Sequence, residues 1–266
     1  MSPYVAGLPM YDWPEVRDEV DALWTAVSIR LCDAGIEAPA RLWRTEHKVD
    51  LWDHPELLVG ECCGLSVVTT HHGRVEVLGA LDRGIEGCGP GEYRSVLVCR
   101  AADPAADLTA FRGRPVAINE PDSQSGTGVL ITGVAPLASA GRFFGEIVET
   151  GSHRASVRAV AEGRADLAAI DAASWRLALD HDSATDDLRV FARTDPVPAP
   201  PLVIGWAHAH LHNAAVAAIG AAVASLGPDV RRPLDLYGFV ERTTGDYQVL
   251  ADLLDLAAAS GYPTVA

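Results

Sequence analysis

Apolar positions recur along the chain in two alternating rhythms. Residues 4–9 read as a short strand, and Pro14 then opens a segment in which Val16, Val20, Leu23, Val27 and Leu31 return at steps of three and four before Gly35, the signature of one helix face. Leu57–Gly60 is a short apolar run, Cys62–Thr70 fits a short helix, and Val75–Leu81 predicts a strand. After a β-rich stretch at Tyr93–Arg100 the rhythm restarts. Strands at Pro115–Asn119, Phe143–Glu149, Asp166–Ile170 and Leu188–Ala192 alternate with helices at Ser123–Ala140, Ser152–Glu162 and Ala172–Leu179. Such alternation predicts an α/β protein with a largely parallel sheet and right-handed crossovers.

The Pro-rich run Asp195-Pro-Val-Pro-Ala-Pro-Pro201 interrupts this pattern. Beyond it come a strand at Leu202–Trp206, an Ala-rich helix at His212–Leu226 and a helical pattern through Val249, Leu250, Leu253, Leu254 and Leu256. With Tyr93–Arg100 and Arg193–Trp206 taken as crossings, residues 1–97 and 199–266 form one lobe and residues 98–198 the other. A ligand cleft is expected between them.

Charge narrows the partners. The 266 residues carry 36 Asp+Glu against 21 Lys+Arg, a formal −15, and that field disfavours phosphate backbones and anionic lipid. Nucleic acid is therefore not expected as a partner. No segment approaches the roughly 18 consecutive apolar residues of a membrane span, so no direct membrane insertion is expected. A small anion remains admissible, because an enclosed site can present helix N-termini while the outer surface stays acidic. Cys32, Cys62, Cys63, Cys88 and Cys99 form an odd set without CxxC spacing, which speaks against a disulfide framework and a zinc ribbon and for a reducing compartment. The first twenty residues hold no basic and apolar leader pattern, so the chain as written reads as cytoplasmic, and as periplasmic if a leader was removed.

Candidate chemistry concentrates in two strand-to-helix turns. In Val116-Ala-Ile-Asn-Glu-Pro-Asp-Ser-Gln-Ser-Gly126, a helix beginning near Ser123 leaves unpaired N–H groups that favour an anion; Ser123 and Ser125 add hydroxyls, and Gly126 permits close backbone approach. Asp122 or Ser123 acting simply as a helix cap is the plainer alternative. In Gly151-Ser-His-Arg-Ala-Ser156 a serine again precedes a helix, and His153 lies in the first turn. An exposed first-turn histidine is the alternative there. The two helix starts are expected to hold one dehydrated anion from opposite walls of a crevice.

Other signals carry less. His208, His210 and His212 invite a metal, but no acidic or cysteine ligand accompanies them, so no metal is expected. Cys62-Cys63 suggests a nucleophile, against the alternative of small-residue packing. There is no Walker loop, complete GxGxxG, GxSxG or HExxH.

Asp-Ser-Gln-Ser-Gly at 122–126, with Gly-Ser-His-Arg-Ala-Ser and Ala-Val-Ala-Glu-Gly-Arg-Ala-Asp-Leu-Ala-Ala-Ile-Asp within 151–171, resembles the phosphate/phosphite/phosphonate-binding family of ABC-transporter substrate-binding proteins. Leu57-Leu-Val-Gly-Glu-Cys-Cys-Gly-Leu65 and Leu8-Pro-Met-Tyr-Asp12 resemble its first-lobe segments. The resemblance implies an α/β, type II periplasmic-binding-protein-like fold: two α/β lobes, two crossing hinge segments and an inter-lobe cleft. It implies that Ser123, Gln124, Ser125 and His153 contact an oxyanion, with Tyr11, Cys63, Tyr93 and Asp171 around the cleft. Gln124 stands where the family often has Thr. Asp171 would accept a proton from a P–OH group or from an ammonium, or else cap the following helix.

The implied function is capture of a small phosphorus oxyanion (phosphonate, phosphite or phosphate) by hinge closure, without catalysis or cofactor. Its partners would be the solute and an ABC permease or a sensor protein. The alternative is a cytosolic enzyme or ligand sensor on the same scaffold that uses the Cys62-Cys63 region.

Overall fold

The computed structural model describes residues 2–138 and 141–265. In chain order the regular elements are β1 (Val5–Gly7), α1 (Arg17–Asp33), α2 (Lys48–Trp52), β2 (Leu57–Glu61), α3 (Gly64–Val68), β3 (Val75–Asp82), β4 (Glu92–Tyr93), β5 (Ser95–Arg100) and β6 (Val116–Ile118). A widened helical turn (Gln124–Gly128) runs into α4 (Val129–Val134). Then come β7 (Ile147–Glu149), α5 (His153–Ala161), β8 (Leu167–Asp171), α6 (Ala172–His181), β9 (Leu188–Arg193), β10 (Val197–Pro198), β11 (Pro201–Gly205), α7 (His212–Ser225), α8 (Pro228–Arg231), β12 (Gly238–Val240) and α9 (Gln248–Ala259).

The chain divides into two compact units, Met1–Glu92 with Pro198–Gln248 and Tyr93–Val197 with Val249–Ala266. The first has a five-stranded sheet in the order β1-β2-β11-β3-β12. β1 and β2 are parallel, while β11 runs against both β2 and β3, and β12 runs against β3. β1, β2 and β3 therefore share a direction, and their carboxyl ends lie at one edge. Every residue of β2 and β11 is buried, which explains their unbroken apolar character. α1 buries the face made by Val20, Leu23, Trp24, Val27 and Leu31, and it packs on α7, where Ala215, Ala218 and Ala222 keep the approach close. Leu8, Leu23, Trp24, Val27, Val59, Leu81, Leu202 and Ile219 converge on one interior point between sheet and helices.

The second unit's sheet has the order β7-β6-β8-β5-β9. β7, β6 and β8 are parallel neighbours, and β5 runs against both β8 and β9. Both sheets are thus mixed rather than largely parallel. The cause is the chain path: β5 begins at the carboxyl end of β8, with Ser95 opposite Asp171, and β11 begins near the end of β3, with Pro201 opposite Ala80. A strand that starts at its neighbour's finishing edge must run backwards.

Three expectations are corrected by packing. Residues 143–146 are not strand; Phe143 and Phe144 turn into the core with their rings edge to face at 4.9 Å, and β7 is only Ile147–Glu149. The helix expected over 123–140 is broken into the widened turn, α4 and a tight turn at Ala135–Leu137, and its last two positions lie outside the described residues. The C-terminal residues 249–265 belong with the second unit rather than the first, because Leu254, Ala257, Tyr262 and Val265 pack into the cluster of Phe111, Leu130, Val134 and Leu167. The unit boundaries fall at 92/93, 197/198 and 248/249, three passages of the chain instead of two.

α5 ends where Gly163 takes φ +76°, a left-handed value that suits glycine. Its N–H bonds to Val160 O at 3.1 Å, and that of Arg164 returns to Ala159 O at 2.9 Å, closing the last turn before β8.

Leu130 is fully buried in the second unit's core. Leu130→Ala is expected to cost about 2–5 kcal/mol, by lost burial and the cavity left behind. Urea unfolding checks this, and an unchanged midpoint contradicts the packing described.

Candidate functional site

In the second unit, three neighbouring parallel strands end at one edge, and each is followed by a helix start. β6 leads through Asn119–Asp122 to Ser123, whose Oγ accepts the Gly126 N–H at 3.2 Å. β7 leads to Ser152, whose Oγ accepts the Ala155 N–H at 3.1 Å and caps α5. β8 ends at Asp171, whose Oδ1 accepts the N–H groups of Ala173 and Ser174 at 2.8 and 2.9 Å and caps α6. The earliest N–H groups of a helix have no intrahelical acceptor and carry the positive end of its dipole. Adjacent parallel strands thus gather three such ends at one place, the carboxyl edge where α/β sheets bind ligands.

Backbone bonds knit the first two turns together. Thr150 N–H donates to Ile118 O at 2.9 Å, and Gly151 N–H to Asn119 O at 2.7 Å. Thr150 Oγ1 reaches Ile118 O at 3.0 Å and Ser156 Oγ at 2.7 Å. The result is that Ser125 Oγ lies 2.7 Å from His153 Nε2. From the reversed strand β5, Ser95 Oγ donates to Ser125 O at 2.8 Å and fixes the serine's backbone. Gly126 is required by close approach: a Cβ there would stand 1.8 Å from Asn119 Oδ1. Asn119 Oδ1 and Gln124 Oε1 are buried with no hydrogen-bond partner among the described residues.

Helix α5 is anchored from behind. Arg154 Nε and Arg158 Nε donate to Asp182 Oδ2 at 2.9 and 2.8 Å, and Arg154 also bonds His181 O. Burial pushes the Asp182 carboxyl up, but the Arg154 hydrogen bond, the Ala184 N–H and Arg158 outweigh it and hold the group below its ordinary 3.8.

In the first unit, the carboxyl ends of β1, β2 and β3 bear the loop Leu8–Asp12, the pair Cys62-Cys63 and Arg83. The Arg83 guanidinium carbon lies 3.9 Å from the centroid of the Tyr11 ring, and Arg83 Nη2 lies 3.6 Å from Glu61 Oε1. Glu61 Oε2 accepts the Met10 N–H at 3.1 Å. Cys63 is the residue before α3.

With this geometry in hand, comparison with known proteins is informative. A family model described as ABC transporter, phosphonate, periplasmic substrate-binding protein matches residues 59–247. The chain belongs to this family. It is therefore a substrate-binding protein of the phosphonate ABC-transporter kind, a family of periplasmic binders for which a small-molecule solute and a transporter are the partners. A search of the curated proteins finds no match. Among solved structures, PhnD1 from Prochlorococcus marinus in complex with methylphosphonate has a TM-score of 0.74 at 14% identity, over 96% of this chain and 98% of that one. A binding component of a phosphonate ABC transporter from Pseudomonas aeruginosa has 0.72 at 14%, over 98% and 88%. A Xanthomonas citri protein bound to ATP has 0.70 at 17%, over 97% of each. These likenesses carry the fold, which is the type II periplasmic-binding-protein fold. Among the described residues no helix is long and apolar enough to cross a membrane.

For this substrate-binding protein, the eight residues singled out in the sequence fall as follows. Ser123, Ser125 and His153 meet at the joined helix starts. The two starts lie in one unit, on neighbouring strands β6 and β7, and not on opposite walls as expected. Gln124 shares the first turn, but its carboxamide folds along the helix: Oε1 lies 2.7 Å from where a Cβ on Gly128 would be. Asp171 caps α6, the second of its two readings. Tyr93 is buried in β4, two residues before Ser95. Tyr11 and Cys63 belong to the first unit. The histidines at 208–212 serve separate partners, His208 Nε2 on Pro55 O at 3.1 Å and His212 Nε2 on Val77 O at 2.9 Å. Among the described residues no group of three or more His, Cys, Asp or Glu is placed to hold a metal.

Glu61, Arg83, Ser95, Asn119 and Thr150 were not singled out in the sequence. Only Glu61 left a signal there, as an acid inside the apolar run Leu57–Leu65.

A carboxyl whose folded pKa is depressed stabilises the protein above its unfolded pKa and loses that contribution as pH falls through the folded value. The Asp182 anchor is thus fully present at neutral pH and fades as pH falls below about 4. Acid unfolding of the parent and Asp182→Asn checks this. The stability difference should be constant from neutral pH to about 5 and shrink in stronger acid; a difference that grows in acid contradicts it.

Proposed function

We propose that the protein captures a small phosphorus oxyanion, of the phosphonate, phosphite or phosphate class, on the helix starts at Ser123 and Ser152, for delivery to an ABC permease or a sensor. The observation that carries this reading is the 2.7 Å contact of Ser125 Oγ with His153 Nε2, which ties the two starts together. An oxyanion leaves water only if fixed donors replace its hydration shell. With Nε2 protonated, His153 donates to Ser125 Oγ and leaves the serine O–H free to turn to a solute oxygen. The early N–H groups of both helices complete a donor set whose hydrogen-bond geometry exists before the solute arrives.

Gln124 enters the set through its backbone N–H, since its side chain lies over Gly128. Asp171 adds a negative charge beside the donors, which favours a solute that keeps a P–OH or bears an ammonium and disfavours sulfate. Tyr93, in the same unit as the helix starts, supplies an apolar ring face for the organic substituent. PhnD1 was solved with methylphosphonate, so that compound is the first probe. Membership of a substrate-binding family supports capture without turnover.

Calorimetric titration against methylphosphonate, phosphite, phosphate and sulfate tests this reading. The phosphorus compounds should bind and sulfate should bind more weakly. Ser125→Ala and His153→Ala should each weaken binding by about 1.5–3 kcal/mol, the scale of hydrogen bonds to a charged group. Parent-like affinity in both variants places the solute elsewhere.

A further inference from the structure

Asn119, the residue after β6, touches both helix starts. Its carbonyl oxygen accepts the Gly151 N–H at 2.7 Å, just ahead of the Ser152 cap, and its side chain lies against Gly126, one residue past Ser125. Asn119 is only 6% exposed, and its Oδ1 has no hydrogen-bond partner among the described residues. A buried acceptor left without a donor destabilises a fold, and an asparagine after a strand ordinarily turns its oxygen to an N–H of its own loop. Here the oxygen stands 1.8 Å from where a Cβ on Gly126 would be, so it fills the space of the missing methyl. Hydrogen bonds hold the rest of the turn: Ser95 Oγ donates to Ser125 O at 2.8 Å, Ser123 Oγ accepts the Gly126 N–H at 3.2 Å, and the Val129 N–H reaches back to Gln124 O. The Asn119 carboxamide adds the steric stop.

We propose that Asn119 is a positioning residue: its carboxamide is a spacer that sets how far the turn Gln124–Gly128 stands from the Gly151–His153 segment, and so sets the contact of Ser125 Oγ with His153 Nε2, at the expense of fold stability. This rests on the oxyanion-binding reading above, in which that contact orients the serine hydroxyl. All the residues concerned lie in one unit, and the spacer need not touch the solute. Groups held in a costly arrangement beside a binding site exchange stability for geometry. The Asn119 carbonyl is backbone and survives a substitution, so changing the side chain separates the spacer from the link to Gly151.

The test uses the full chain with Asn119→Ala, Gly126→Ala and the two combined. Gly126 lies in a helical turn, so alanine suits its backbone, and in the double variant the new Cβ takes the room that Oδ1 leaves, with Ser123 Oγ 3.4 Å away. Three readouts are taken: thermal midpoint, the His153 ring-nitrogen resonances without solute, and methylphosphonate affinity. Asn119→Ala should keep or exceed the parent's midpoint, because an unmade acceptor is removed, yet shift the His153 resonances and lower affinity about ten-fold, the scale of ordering two side chains at the binding step. Gly126→Ala should lose both midpoint and affinity through collision. The double variant should return toward the parent in resonances and affinity, a size exchange that lost packing alone does not produce. Unmoved His153 resonances in Asn119→Ala refute the spacer, a lowered midpoint refutes its stability cost, and a double variant whose losses add makes Asn119 ordinary packing. A parent that binds no phosphorus oxyanion refutes the functional reading, and the spacer's part in binding falls with it. The solute-free resonances tell that failure apart from failure of the spacer.

Discussion

The proposed anion site depends on a single short contact, Ser125 Oγ to His153 Nε2 at 2.7 Å, between the first turns of two helices. Each helix start alone is a weak anion trap, because water reaches it and the dipole fades within a turn. Joined, they offer a serine hydroxyl oriented by the imidazole, together with backbone donors, at fixed separations. The separation is set by the sheet: β6 and β7 are hydrogen-bonded neighbours, and Ile118 and Asn119 carbonyls hold Thr150 and Gly151 in the next loop. A parallel pair thus dictates where two side chains 28 residues apart meet. Gly126 and Asn119 make the fit close enough that any side chain at 126 would collide.

The supporting structure follows from the same constraint. Donors aimed at an anion work only if they do not relax toward water, so what lies behind them must be stiff. Helix α5 is fixed at one end by the Ser152 cap and the Arg154–Asp182–Arg158 group, and at the other by the turn at Gly163. The first unit repeats the arrangement with different chemistry. There the carboxyl ends of β1, β2 and β3 are fixed by a buried Arg–Glu pair and a ring contact.

Much of this was legible in the sequence where a local signal coincided with the tertiary outcome. Serine before a helical pattern is a cap wherever it folds, so Ser123 and Ser152 could be read directly, and the family resemblance placed Ser125 and His153 beside them. Periodicity also found α1, α5, α6 and α7. It failed at Phe143–Phe144, because two adjacent aromatics satisfy a strand pattern equally well when a loop turns them inward. Strand direction was hidden for another reason. β5 and β11 are reversed by where the chain enters each unit, a global property with no local mark. The same holds for α9, whose apolar face carries no label for the unit that buries it, and for Arg83, which meets Leu234, Tyr11 and Glu61 from three separate stretches of chain.

The central claim, that a phosphorus oxyanion sits on the joined helix starts, is tested most directly by following the His153 ring nitrogens and the Gln124 and Ser125 amides by nuclear magnetic resonance as methylphosphonate is added. The account predicts that these resonances shift together in saturable fashion, with those of the His208–His212 segment left in place. Saturable binding that leaves His153, Gln124 and Ser125 unmoved would contradict it.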